Sequence, residues 1–141
     1  MLCTFLVGTT TTVLGDDTNI ALGGRGTFQW ENWSVDGLLH KEPLYQSAAP
    51  FKQPEGNIDR VLGFRIGRTL ATVAAVAAFL KTVDALVLQQ GTLTLQPDAT
   101  AAGATTYANA ILKSARLVPG ADASTGKRVT IAYTFECQTI A

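Results

Sequence analysis

The sequence predicts a mainly β domain of the α+β kind: an antiparallel β-sandwich or barrel with one flanking α-helix. Three observations carry that expectation. The C-terminal stretch alternates strictly, with Val129, Ile131, Tyr133, Phe135 and Cys137 on one face and Thr130, Ala132, Thr134, Glu136 and Gln138 on the other. A two-residue period rich in β-branched and aromatic residues marks a half-buried strand. One stretch only, about residues 71–86, repeats its apolar residues at helical spacing. Between the periodic stretches lie clusters of Gly, Pro, Asp and Ser, which are turn chemistry.

In chain order, residues 1–7 read as a first strand, since the apolar run is brief and has no basic lead-in of the kind a secretory signal needs. Asp16-Asp17-Thr18-Asn19 reads as a turn between the first two strands, because the Gly and Glu spacing of a calcium loop does not follow. Gly23-Gly24-Arg25-Gly26 lacks the Walker lysine and precedes a strand rather than a helix, so it reads as a hairpin connection. Gly26 to Glu31 is a strand that Trp33-Ser34-Val35 continues or pairs with. In a regular strand Trp30 and Trp33 fall on opposite faces, one in the core and the other exposed or interfacial.

Residues 36–58 contain Pro43, Pro50 and Pro54, hold no period, and still carry Leu38, Leu39, Leu44, Tyr45 and Phe51. They read as a long extended loop, an apolar arm that docks either on its own domain or, the favoured reading, on a neighbouring subunit. Trp30, Trp33, Leu38, Leu39, Leu44, Tyr45 and Phe51 are accordingly the candidate subunit-interface residues. Residues 61–68 alternate Leu62, Phe64 and Ile66 against Gly63, Arg65 and Gly67, another half-buried strand.

The helix places Val73, Val76, Ala77, Leu80, Val83 and Val87 on one stripe, with Thr69 or Thr72 as its N-cap. Packing on its own sheet is favoured over packing on a neighbour. Gly91 to Gln96 is a strand that ends at Pro97, and 105–118 pairs with 127–138 as a long antiparallel hairpin.

Composition narrows the function. Of 141 residues, 47% are hydrophobic and 16% charged, and eleven basic residues balance eleven acidic ones. Charge this sparse favours contact between copies, because few charges need desolvating. The neutral balance gives no global attraction for nucleic acid or anionic lipid. No stretch has the length of a membrane span. Cys3 and Cys137 form neither a metal-site spacing nor a disulfide framework; they pair only if the terminal strands are neighbours, and otherwise are buried free thiols.

His40, the single histidine, has no positioned partner in sequence and reads as a solvated loop residue. Arg65 and Arg68, like Lys113 and Arg116, lie three apart in strands and therefore on opposite faces, so they form no basic stripe. No nucleophile, base and orienter come together, and no catalytic residue, metal or cofactor is expected.

The order strand, helix, strand and long hairpin is carried by Leu62 to Ile66, the 71–86 helix, Gly91-Thr92-Leu93-Thr94-Leu95, Thr105-Thr106-Tyr107-Ala108-Asn109-Ala110-Ile111-Leu112 and Val129 to Phe135. Over about residues 60–138 it resembles the tail-tube family of phage tail structural proteins. The resemblance implies a non-enzymatic virion protein in the tail, made in the host cytoplasm. It further implies rings of copies, commonly hexameric, that stack around a lumen, with other tail proteins as partners and genomic DNA only as passing cargo. The arm at 36–58 would grip neighbouring subunits. Terminator, adaptor and baseplate roles stay open, and so does a ligand- or carbohydrate-binding β-sandwich using Trp30, Trp33, Tyr45 and Tyr107. The whole chain, 1–141, is expected to be one assembly domain.

Overall fold

A computed structural model describes residues 1–16, 28–42, 51–97, 103–118 and 127–137, with side chains at all of these except 36–42 and 51–59. Seven strands and one helix follow the order β1 (Leu2–Val7), β2 (Thr10–Asp16), β3 (Gln29–Glu42), β4 (Phe51–Thr69), α1 (Val73–Leu86), β5 (Gln90–Gln96), β6 (Thr105–Leu117) and β7 (Arg128–Cys137). All pairings are antiparallel, in one sheet ordered β2-β1-β5-β6-β7-β4-β3.

The sheet curls on itself. Tyr133 Oη donates to the Leu14 carbonyl (3.0 Å) and an Arg68 guanidinium nitrogen to that of Val13 (2.8 Å), so side chains from β7 and β4 reach across to edge strand β2. The fold is thus mainly β with a flanking helix, its barrel-like wall made from a single sheet.

The core lies inside this curl. Phe64 is its centre, with ring centroids 5.4 Å from Phe28, 5.8 Å from Tyr133 and 6.0 Å, stacked, from Phe135. Phe5 meets Phe135 edge-on at 5.1 Å. The alternation of β7 points its odd-numbered residues inward as expected. Thr130 and Ala132 on the other face are also buried, so this part of β7 is covered on both sides.

Cys3 and Cys137 are free, buried thiols. Their strands are separated in the sheet by β5 and β6, so the condition for pairing is not met. Burial pushes the Cys3 thiol and the Tyr133 phenol well above their ordinary values of 9.0 and 10.0. The folded chain therefore keeps both protons where the unfolded chain loses them, and stability falls as pH rises through the unfolded values. Urea denaturation is predicted to show a loss starting near pH 9 and steepening above pH 10, by about 1.4 kcal/mol per pH unit per group. Cys3→Ala should remove the earlier part of that loss.

The helix starts at Val73, with Thr72 as N-cap: its Oγ1 accepts from the Ala75 N–H at 3.0 Å. Thr72→Ala is predicted to lower stability by about 1 kcal/mol in chemical denaturation. The buried stripe is Val76, Phe79 and Val83, rotated from the expected one. Val73 and Ala77 face solvent, and Phe79 turns inward, where its ring carries the Arg68 guanidinium at 4.5 Å. The helix packs on its own sheet: Val76, Phe79 and Val83 join the core cluster, and Leu80, Leu86 and Val87 pack against it.

Three expectations need correction. Thr10–Asp16 is itself a strand, so the first hairpin turns at Gly8-Thr9, with Gly8 at φ 61, and not at Asp16 to Asn19. Residues 17–27, including the glycine cluster, lie outside the described residues. The extended loop at 36–58 is not a loop at 36–42 and 51–58, which continue β3 and β4 as a long hairpin. Pro54 fits there because it pairs with Leu39 where the register slips, and because the β4 ladder to β7 begins only at Arg60. A residue without an N–H is accepted in a strand that is paired on one side only. Pro43, Leu44, Tyr45 and Pro50 fall outside the described residues.

Lastly, Lys113 and Arg116 share the outer face, since the β6–β7 register slips between Leu112 and Ser114. Each meets a carboxylate, Lys113 that of Glu136 at 3.0 Å and Arg116 that of Glu31 at 3.9 Å, so no free basic stripe results. Arg65 and Arg68 do face opposite ways: Arg65 donates to Gln29 Oε1, while Arg68 reaches Val13.

Candidate subunit interface

β3 closes the sheet order at one end, and among the described residues its outer edge has no ladder partner. An unpaired edge offers a row of N–H and C=O groups to another chain. The two tryptophans lie on this strand, and the irregularity between Trp30 and Asn32 sets where they point. Trp30 pairs with Phe64 and Trp33 with Leu62, two residues that share the core face of β4. A bulge adds one residue and so turns a three-residue spacing into same-face neighbours. The opposite-face expectation for Trp30 and Trp33 is therefore overturned.

Both indoles sit at the margin of the core without being enclosed by it. Trp30 is 41% exposed and packs on Phe28 and Phe64, with centroids at 5.2 and 5.9 Å. Trp33 is 55% exposed. Leu38, Leu39 and Phe51 belong to the same β3–β4 hairpin, at backbone positions beyond Trp33. Leu44 and Tyr45 lie outside the described residues, as does the side chain of His40.

Sequence reasoning passed over Arg60. It opens the run Arg60, Leu62, Phe64, Ile66, whose members share the core-facing side of β4. A charged residue in the register of a core stripe was the available signal. The residue is only 9% exposed, and its guanidinium carbon lies 5.3 Å from the ring centroids of both Trp33 and Tyr107, within cation–π range of each. The Arg60 Nε is buried and has no acceptor among the described residues.

Among the described residues no group of three or more His, Cys, Asp or Glu is placed to hold a metal ion. No helix among them is long and apolar enough to cross a membrane. What the surface offers chemically is apolar contact area, an open strand edge and one enclosed cation.

No protein-family model matches the chain, and no curated protein matches it. Among solved structures, it is similar to a chain in the anti-feeding prophage baseplate, at TM-score 0.53 and 12% identity, over 99% of this chain and 89% of that one. It is also similar to a chain of the anti-feeding prophage tube-terminating cap, at 0.47 and 13%, over 99% and 85%. A third likeness is to a chain of an extracellular contractile injection system, the PVC sheath-tube complex in its extended state, at 0.47 and 14%, over 99% and 86%. At these identities the likeness is one of fold, and of the three the first alone exceeds 0.5: the chain shares its fold with a component of a phage-tail-like baseplate.

Proposed function

We propose that the chain, as one assembly domain, is a non-enzymatic structural protein of a phage-tail-like particle, in which copies of it join into rings or a tube. The observation that carries this reading is the edge strand β3, with an open ladder side and two exposed tryptophans. Large aromatics are enriched among the anchors of protein interfaces, and ring closure is a common way to occupy a sheet edge. The fold likeness to a baseplate chain, in a structure with six-fold symmetry imposed, supports the particle and a hexameric ring. In that setting other tail proteins are its partners above and below, DNA passes only as cargo, and the protein resides in the virion tail. A baseplate, terminator or adaptor ring fits the same surface as well as a tube does.

Binding of a ligand or carbohydrate between aromatic rings is the weaker reading. The rings of Trp33 and Tyr107 each already meet the Arg60 guanidinium, its carbon 5.3 Å from both centroids. Negative-stain microscopy of the purified protein distinguishes the two. Rings or tubes at high protein concentration are the expected result; a dispersed monomer that a glycan array captures would overturn it.

A further inference from the structure

We infer that Arg60 is a positioning residue for assembly: it holds the Trp33 indole from the protein side, so that the exposed part of the ring is already set for contact with a second copy. The inference rests on the self-assembly reading above and names what prepares its anchor.

The two tryptophans of β3 are supported differently. Trp30 packs on two rings, Phe28 and Phe64. Trp33, the more exposed of the two at 55%, has no such aromatic neighbour among the described residues, and the Arg60 guanidinium lies over its ring instead. Arg60 is itself nine-tenths buried, so it covers the inward part of the indole and leaves the outward part to solvent.

Register explains how a cation on β4 reaches a ring on β3. Trp33 is opposite Leu62, and Arg60 lies two residues before Leu62 on the same face. From that diagonal position a long side chain meets its cross-strand neighbour. A strand irregularity brings in Tyr107. Ala110 is opposite Gly91 and Tyr107 opposite Leu93, so β6 carries one residue more than β5 there, with Asn109 at φ 52. Ala110 and Tyr107 are therefore both buried although three apart, and the Tyr107 ring meets the same guanidinium at 5.3 Å. Arg60 is thus held by a buried ring on β6 and in turn holds an exposed ring on β3.

The arrangement carries a cost that packing alone does not call for. The Arg60 Nε is buried without a hydrogen-bond partner among the described residues, and an unpaired buried donor lowers stability. An apolar residue of similar length would fill the position without that penalty. The cation is accounted for by its effect on Trp33. A ring fixed before contact loses less freedom on binding than one that still turns about its side-chain torsions.

The test combines three measurements on the full chain. Self-association of the wild type and R60M is followed by analytical ultracentrifugation, and thermal unfolding of both is followed under dilute, monomeric conditions. Motion of the Trp33 ring in the monomer is read by nanosecond fluorescence anisotropy in W30F and W30F/R60M, where Trp33 is the single tryptophan. R60M is expected to weaken association about three- to ten-fold, the scale of immobilising one side chain on binding. Its monomer should melt close to the wild-type temperature, since lost ring contacts are offset by removal of the unpaired donor. Trp33 should turn with the whole molecule in W30F and independently of it in W30F/R60M. Association of R60M at wild-type strength, or equal ring motion in W30F and W30F/R60M, would overturn the positioning role and leave self-assembly standing. A monomer destabilised in step with the weaker association would make Arg60 structural only and overturn it too. A wild-type chain that stays monomeric at every concentration would remove the assembly reading and the inference with it. If R60M does not fold, W30F decides alone: a ring that turns with the whole molecule supports the inference, and one that moves freely beside Arg60 overturns it.

Discussion

Replacing Phe64 by alanine is expected to lower the free energy of unfolding by about 3–5 kcal/mol, the range for removing a large aromatic from a packed core. Phe64 is fully buried and in ring contact with Phe28, Trp30, Tyr133 and Phe135, so it ties edge strand β3 to the centre of the sheet. The cavity left behind would be walled by rings held in their own strands, which limits relaxation. Guanidinium denaturation read by far-UV circular dichroism measures the loss, and an unchanged slope shows that stability and not cooperativity has changed. Trp33→Ala, which removes a half-exposed ring, should lower monomer stability much less. A loss for Phe64→Ala near that of Trp33→Ala would mean that the core is not centred where the structure puts it.

Gly91→Val is expected to be of similar weight, about 3 kcal/mol, at the upper end of what overpacking usually costs. A Cβ at Gly91 would meet the backbone carbonyl of Leu6 on β1 and, at 3.1 Å, the edge of the Phe5 ring. The carbonyl cannot swing aside as a flexible side chain would, because Leu6 is paired with Thr92 in the same ladder. Relief therefore requires β1 and β5 to part at that end, with a disturbed Phe5–Phe135 contact as the consequence. Gly8→Ala is the control. Gly8 has open space around it but a φ of 61, so its loss is the backbone term alone, about 1–2 kcal/mol. Equal losses at the two glycines would argue against the close approach of β1 and β5.

Much of this architecture was legible where one periodicity ran unbroken. β7, β5 and the Leu62–Ile66 part of β4 alternate cleanly, and the helix lies within the residues whose spacing marked it. The failures have local physical causes. The β3–β4 hairpin was hidden because prolines signal loops, yet a strand paired on one side only accepts Pro54. Two register slips, after Trp30 and after Leu112, each moved a pair of residues three apart onto one face, which no fixed period reveals. The helix stripe was misjudged because it was traced through aliphatic residues, leaving out Phe79, which lies three residues after Val76 and four before Val83 on the buried face.

Trp30 and Trp33 were named as candidate interface residues from residue type, and the structure leaves both rings partly exposed. Arg60 was missed because its setting comes from three strands at once: Trp33 on β3, Arg60 on β4 and Tyr107 on β6. Contacts between elements so far apart in sequence leave no local pattern, and only its place in the register of Leu62, Phe64 and Ile66 marked Arg60 out.

If copies of this small β domain join through the aromatic edge of β3, as proposed, light scattering coupled to size-exclusion chromatography will show a mass that rises with protein concentration. The expected end point is a fixed multiple of 14.9 kDa for a ring, or continued growth for a tube, with a return to the monomer in folded Trp33→Ala. A single monomer mass at every concentration, or an assembly that Trp33→Ala leaves untouched, would contradict the proposal.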